Sequence, residues 1–151
     1  MRTVKDIIGS KMPAFNTISP DTLVIDALNL LNSVNLSYLI VMDGDQYKGV
    51  FCERDYTRNL VLRGRTSNTT TVKEVMTTDL PLVQLSETVE HCMYLMNSHR
   101  TRYILAYDDQ HFVDVITIND LLRQVIAGKE DVFDEEPATE STGKGKRHRI
   151  Y

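Results

Sequence analysis

Apolar residues follow a helical spacing and then an extended spacing along this chain, and this succession occurs twice. The first helical stretch places its apolar side chains on one face, at Val24, Ala27, Leu28 and Leu31. The second half of the chain repeats the spacing, at Val89, Cys92, Met93 and Met96. Apolar side chains at positions i, i+3, i+4 and i+7 predict an amphipathic helix in each half.

Two short apolar runs follow each predicted helix and indicate a pair of antiparallel strands. Turn-forming residues separate the runs, at Asp43-Gly44-Asp45 and Asp108-Asp109-Gln110. The predicted strands cover residues 38–42, 47–52, 103–107 and 111–117. A further helix is predicted after each pair, over residues 53–63 and 118–127.

Short sequence matches support a duplication. Val4-Lys5-Asp6-Ile7-Ile8 reappears as Val72-Lys73-Glu74-Val75-Met76, and Leu30-Leu31-Asn32-Ser33 reappears as Leu95-Met96-Asn97-Ser98. Each half therefore reads as a β-α-β-β-α unit of the α+β class. Because a unit of about 60 residues is marginally stable alone, we expect the two repeats to pack as a pseudo-two-fold pair.

Changes in composition mark the expected boundaries. The first repeat is predicted over residues 1–64 and the second over residues 72–128. Residues 65–71 read as a polar linker without an apolar period. Residues 129–151 begin acidic and end basic, with Pro, Ser, Thr and Gly between, which predicts a disordered charged tail.

Bulk composition excludes several functions. The net charge of -4 argues against nucleic-acid binding, because nucleic-acid-binding domains usually carry a basic excess. No apolar run approaches the roughly 18–20 residues of a membrane helix, and no signal peptide is evident. Cys52 and Cys92 allow one disulfide, but two reduced thiols in a cytoplasmic protein are the expectation.

Catalytic and metal-binding patterns are not recognisable in the sequence. The four histidines lack metal-ligand spacing, and the chain order supports no Ser-His-Asp set. A phosphate-binding G-x-x-x-x-G-K-[ST] loop is also absent. We therefore expect a protein that is not an enzyme, with no catalytic residue, no metal site and no required cofactor.

Two strand-to-helix junctions carry a family resemblance. They are Gly49-Val50-Phe51-Cys52-Glu53-Arg54-Asp55 and Asp114-Val115-Ile116-Thr117-Ile118-Asn119-Asp120, and Ser19-Pro20-Asp21-Thr22 precedes the first helix. From Val4 to about Gly128 the chain resembles a tandem pair of CBS (cystathionine-beta-synthase) domains, also called a Bateman module. The resemblance implies a homodimeric ligand sensor that binds adenosine-containing molecules and regulates a partner protein.

The resemblance places a ribose-binding carboxylate at Asp120 and at Asp55. A carboxylate can accept hydrogen bonds from both hydroxyls of a ribose. The hydroxyl that accompanies it is Thr117 in the second repeat, whereas the first repeat has Cys52. Thr117 and Asp120 also fit a helix capping box. Because Cys52 is a poor cap and Asp55 is nevertheless present, ligand contact is favoured over capping.

Cations for the phosphate are also implied by the resemblance. Arg102, with Arg100 beside it, belongs to the second repeat, and Arg54 reaches across from the first, with Arg58 one helical turn beyond. Solvated surface positions are the alternative for each arginine. The first repeat has Ser37 in place of Arg102, so the better-equipped site is expected at Asp120.

The adenine is expected in an apolar slot. Candidate wall residues are Val115 and Ile116 and the extended pieces Pro81-Leu82-Val83 and Ala14-Phe15, although plain core packing is the alternative for each. AMP is the first expected ligand and NAD(H) the second, with ATP and S-adenosylmethionine also open. The competing readings are an enzyme that acts on a nucleotide and a structural dimer with an empty cleft.

Overall fold

The computed structural model describes residues 2–12 and 16–135, with side chains described up to residue 128. The first repeat contains α1 (Val4–Ser10), β1 (Thr17–Ile18), α2 (Val24–Val34), β2 (Tyr38–Asp43), β3 (Gln46–Cys52) and α3 (Glu53–Asp55). The second contains a 3-10 turn (Val72–Glu74), β4 (Leu82–Gln84), α4 (Val89–His99), β5 (Tyr103–Asp108), β6 (His111–Thr117) and α5 (Ile118–Glu135).

The duplication appears as two three-stranded sheets with the same topology. The strand orders are β1-β2-β3 and β4-β5-β6. In each sheet the first strand is parallel to the second, and the second is antiparallel to the third. Each antiparallel pair shifts register at a matching place, between Val41 and Met42 and between Ala106 and Tyr107. The predicted α+β class and the β-α-β-β-α order are thus confirmed.

The apolar faces of the two sheets pack against each other, as a marginal single repeat requires. Strand residues of both repeats form this shared core: Tyr38, Ile40, Val50, Cys52, Leu105 and Val115. Rings at equivalent positions meet across it, with centroids 5.3 Å apart for Tyr38 and Tyr103 and 4.8 Å apart for Tyr47 and Phe112. Each such pair joins one repeat to the other.

The segments that begin the two repeats exchange places. Val4 and Ile7 of α1 are buried in the core of the second repeat, and Val72 and Val75 are buried in the core of the first. Backbone hydrogen bonds tie α1 to the second repeat, from Val4 N to the Glu87 carbonyl at 2.9 Å. Each of these two segments therefore belongs to one repeat by sequence but packs in the core of the other.

Several details depart from the expectations. The segment predicted as a single helix over 53–63 is α3 followed by a π-helical turn (Tyr56–Leu60) and a 3-10 turn (Val61–Arg63). Met93 is 40% exposed rather than part of the buried helix face. Helix α5 ends at Glu135, so the first seven residues of the predicted disordered tail are helical. The rest of that tail and Ala14-Phe15 lie outside the described residues.

Candidate functional site

A cavity of about 490 Å³ lies between the two repeats. The first repeat contributes the end of β3 and the turns that follow it, and the second contributes the approach to β4, the α4–β5 connection and the start of α5. Polar and charged side chains dominate its wall: Ser37, Glu53, Arg54, Asp55, Arg58, Asn59, Thr77, Asp79, His99, Arg100, Thr101, Arg102, Thr117 and Asn119. Its size suits a small-molecule ligand.

Asp55 is the buried carboxylate of this wall, with 3% of its surface exposed. Its Oδ2 accepts hydrogen bonds from the backbone N–H and the thiol of Cys52, at 3.0 and 3.4 Å. Its Oδ1 accepts one from Thr77 Oγ1 at 2.6 Å. Burial raises the pKa of Asp55, and the hydrogen bonds from Thr77 and Cys52 offset only part of that rise. The donors are all neutral, and among the described residues Asp55 forms no ion pair within 4.0 Å, although the charge of Arg54 also lowers its pKa.

The capping geometry at this junction corrects one expectation. The Cys52 side chain accepts from the backbone N–H of Asp55, and the Cys52 N–H donates to the Asp55 carboxylate. The capping box is therefore complete in the first repeat. The Thr117–Asp120 pair forms the same box, with hydrogen bonds of 2.8 and 3.2 Å. Recurrence of the carboxylate therefore does not separate ligand contact from capping, because both carboxylates also cap a helix.

Thr77 reaches Asp55 because its backbone runs directly beside β3. Its N–H donates to the Val50 carbonyl at 2.9 Å, and the Val50 N–H donates to its carbonyl at 3.0 Å. A Cβ atom on Gly49 would lie 2.8 Å from the Thr77 carbonyl oxygen and 2.8 Å from Met76 Sδ. Glycine at position 49 is thus required for this close approach, which puts a residue of the second repeat on the first repeat's carboxylate.

Four arginines surround the cavity, two from each repeat: Arg54, Arg58, Arg100 and Arg102. Among the described residues, none of the four guanidinium groups forms a hydrogen bond, or an ion pair within 4.0 Å. Arg100 ends helix α4 with a φ of 53°, a left-handed conformation that Gly or Asn usually adopts. Guanidinium groups are the side chains best suited to bind phosphate or another anion through paired hydrogen bonds.

The junction of the second repeat is arranged differently. Asp120 is also 3% exposed, but its carboxylate is bound by two cations. Lys11 Nζ lies 3.1 Å from Asp120 Oδ2 and 3.4 Å from Asp114 Oδ2, and it donates to the Val115 carbonyl at 2.8 Å. Arg123 Nη2 binds the other oxygen, Asp120 Oδ1. This carboxylate is not on the wall of the cavity.

The structure therefore distributes the predicted site residues unequally. It brings Arg54, Asp55, Arg58, Arg100, Arg102 and Thr117 to one cavity. Four other predicted residues lie elsewhere: Asp120, Val115, Ile116 and Leu82. Val115 and Ile116 are fully buried core residues, and Leu82 is 54% exposed. The cavity lies at Asp55, whereas the sequence favoured Asp120, whose carboxylate forms ion pairs with Lys11 and Arg123.

Two residues that complete the junctions were not anticipated. Thr77 and Lys11 both follow the segments that exchange between the repeats. The sequence matches identify those segments as equivalent, but they do not reveal that each segment crosses to the other repeat. Only the crossing brings Thr77 to Asp55 and Lys11 to Asp120.

The described part of the chain contains neither a group of metal ligands nor a membrane-spanning helix. Within residues 2–12 and 16–128, whose side chains are described, no three His, Cys, Asp or Glu side chains are grouped so that they could hold a metal ion. No helix within the described residues is both long enough and apolar enough to cross a membrane. Cys52 and Cys92 are free and buried, and burial raises the pKa of both thiols.

Comparisons with known proteins identify relatives that contain CBS domains. A curated relative is the CBS domain-containing protein CBSX3, mitochondrial, of Arabidopsis thaliana, 31% identical over 133 residues. The match covers 82% of this chain and 65% of that relative, so the chain spans slightly less than two thirds of its length.

Solved structures show the same arrangement. A CBS-domain protein from Burkholderia ambifaria MC40-6 has a TM-score of 0.76 and 32% identity, covering 91% of this chain and 99% of the other. The structure of CBSX2 in complex with AMP has a TM-score of 0.67 at 23% identity, covering 85% of this chain and 99% of the other, a likeness of fold. The CBS domain family model matches residues 4–62 and again 72–127. The chain belongs to the CBS-domain family and contains a tandem pair of CBS domains.

Proposed function

We propose that this CBS pair is a regulatory module that binds an adenosine-containing nucleotide in the cavity at Asp55. The observation that carries the proposal is the pairing of one buried carboxylate, which forms no ion pair, with four arginines whose guanidinium groups are unpaired, around a single cavity. A nucleotide needs both features, since its ribose donates hydrogen bonds and its phosphate carries negative charge. CBSX2, which shares the fold, binds AMP.

In this proposal Asp55 accepts the two ribose hydroxyls. Each carboxylate oxygen has two lone pairs. Oδ1 accepts only from Thr77 and has capacity for one ribose hydroxyl, and the second hydroxyl would replace the weak thiol donor of Cys52 on Oδ2. The ribose hydroxyls stabilise the ionised form of Asp55, which burial disfavours in the free protein. Ligand binding is therefore expected to lower the pKa of Asp55.

The phosphate would lie among Arg54, Arg58, Arg100 and Arg102, which come from both repeats. Arg102 and Arg54 would bind the phosphate, as the family resemblance implies, but of a nucleotide whose ribose lies on Asp55 instead of Asp120. The adenine would use the apolar part of the same wall, Val50, Leu80, Pro81 and Ile118, rather than the predicted Val115, Ile116 and Leu82. The cavity volume of about 490 Å³ favours a mononucleotide such as AMP over NAD(H).

Titration calorimetry with AMP, ATP, NAD, NADH and S-adenosylmethionine tests this proposal. We expect AMP to bind, and Asp55→Ala and Arg102→Ala each to weaken binding at least tenfold. Arg63→Ala is the matched control, because Arg63 is exposed and does not line the cavity. The proposal fails if none of the five molecules produces heat or a thermal shift with the wild-type protein.

Regulation would operate through the relative position of the two repeats, since one ligand contacts both. Such coupling typically carries about 1–3 kcal/mol. We propose a homodimer formed through helices α4 and α5, whose outer faces expose Met93, Tyr94, Leu122 and Ile126. Light scattering of the protein with Tyr94→Glu and Leu122→Glu tests it, and a dimer unaffected by both substitutions would exclude this face. Conversion of AMP to a product would instead favour the enzyme reading.

A further inference from the structure

We propose that Lys11 is an internal occupant of the second cleft and blocks a second nucleotide site at Asp120. The inference rests on the proposed function at Asp55, because the cleft there serves as the reference for a carboxylate that forms no ion pair. Lys11 lies at the end of α1, the segment that crosses to the second repeat. It is therefore delivered to Asp120 by the fold and not by a neighbouring loop of the same repeat.

The two clefts can be compared atom by atom. Val50 pairs with Ile40 and Val115 pairs with Leu105, so the two valines occupy the same place in the two sheets. In the first cleft Thr77 supplies two donors: its N–H binds the Val50 carbonyl at 2.9 Å, and its hydroxyl binds Asp55 at 2.6 Å.

In the second cleft one ammonium replaces both of these donors. Lys11 Nζ binds the Val115 carbonyl at 2.8 Å and the Asp120 carboxylate at 3.1 Å. Its third proton faces Asp114, 3.4 Å away, at the position equivalent to Gly49 of the first repeat. An ammonium has three donors, and here all three have an acceptor.

Charge explains why this arrangement excludes a ribose. Asp55 is bound by neutral donors, whereas both oxygens of Asp120 are bound by cations, Lys11 and Arg123. A diol that displaced the ammonium would leave Lys11 without its main counter-ion in a position where only 16% of its side chain is exposed. Neutral hydroxyls do not replace that ion pair.

Protonation of Lys11 is maintained at neutral pH. Burial alone would lower its pKa, but the carboxylates of Asp120 and Asp114 raise it above its usual value. The second cleft also has an unpaired polar group that a ligand could bind. The Asn16 side chain is 4% exposed, and its amide nitrogen has no hydrogen-bond partner among the described residues. Asn16 stands at the position of Pro81, which lines the first cavity.

Site counting by calorimetry with AMP tests the inference. Lys11→Thr removes the ammonium from the second cleft and leaves a short neutral side chain in its place. We expect it to bind one more AMP per chain than the wild type, with the Kd of the first site changed by less than twofold. Adding Asp120→Ala should abolish the extra site. Lys73→Thr is the matched control, because Lys73 pairs with Asp21 on the surface, and it should leave the site number unchanged.

The outcomes separate this inference from the proposed function. A folded Lys11→Thr protein with the same number of sites as the wild type overturns the inference, and so does a wild type with two sites. A wild type with no site and a variant with one would refute the proposed function but support the inference.

Amine labelling of the wild type provides a test that needs no variant. With mass spectrometric detection, Lys11 should react with acetic anhydride at least tenfold more slowly than Lys73, whether or not AMP is saturating. Labelling of Lys11 that increases on saturation with AMP would contradict the inference, because it would show the ammonium being displaced.

Discussion

The two clefts of this protein share one backbone plan and differ in how their carboxylates are compensated. Asp55 and Asp120 have the same burial and the same capping geometry. Neutral donors hold the first, and Lys11 and Arg123 hold the second. A duplicated fold therefore fixes where a carboxylate stands, whereas a residue that follows an exchanged segment decides whether that carboxylate is available to a ligand.

Neutralising each carboxylate should have the largest and most unequal effect on stability. Asp120→Asn leaves the partly buried Lys11 without its main counter-ion, so we expect it to lower the free energy of unfolding by about 2–3 kcal/mol. Asp55→Asn removes a buried charge that has no ion pair, and we expect a change below about 1 kcal/mol. Urea unfolding at pH 7 followed by circular dichroism measures both. Equal losses would refute the distinction between the clefts.

The close approach of the second repeat to β3 should be sensitive to a single methyl group. Gly49→Ala forces the Met76–Thr77 backbone away from β3 and is expected to cost about 1–2 kcal/mol. Gly9→Ala is the matched control, because a Cβ atom there meets nothing within 4 Å in helix α1. That control should be stabilising by about 0.5–1 kcal/mol, since alanine is the better helix former. Thermal unfolding distinguishes them, and similar shifts in Tm would contradict the tight contact.

The pH dependence of stability should show that burial disfavours the ionised form of Asp55. Because its pKa is raised on folding, its contribution to stability is present below the unfolded pKa and is lost as pH rises through the folded pKa. Asp55→Asn lacks this loss, so the variant should gain stability relative to the wild type between about pH 4 and 7. Unfolding free energies across that range give the difference. A difference that is constant with pH would show that burial does not perturb this carboxyl.

The smallest effect is expected at the end of helix α4. Arg100 and Asn35 end the equivalent helices α4 and α2 with φ values of 53° and 56°. Arg100→Asn relieves an unfavourable left-handed conformation, so stability should rise by at most about 1 kcal/mol. AMP binding should nevertheless weaken, because a cation leaves the cavity. Unchanged affinity would remove Arg100 from the phosphate site.

The sequence predicted the fold well because apolar spacing and the repeated motifs are local signals. Strand β6 was predicted with its observed bounds, and the other central strands within one residue at either end. The π-helical turn at Tyr56–Leu60 was missed, because a helical apolar pattern does not distinguish an α-helix from such a turn. Helix α5 was cut short because acidic residues after Gly128 read as a tail.

The site was only partly predictable, because the difference between the two clefts depends on long-range contacts. The family resemblance grouped Arg54, Arg102 and Thr117 with Asp120, whereas the structure brings the first three to the cavity at Asp55. Nothing in local spacing shows that α1 packs in the second repeat, so the contact of Lys11 with Asp120 could not be anticipated. The sequence consequently favoured Asp120, whose own motif is the more complete.

A crystal structure of the protein grown with saturating AMP tests the central claim most directly. The account predicts one nucleotide per chain, with its ribose on Asp55, its phosphate among the four arginines and Lys11 still bound to Asp120. A nucleotide whose ribose lies on Asp120, with Lys11 displaced, would contradict it.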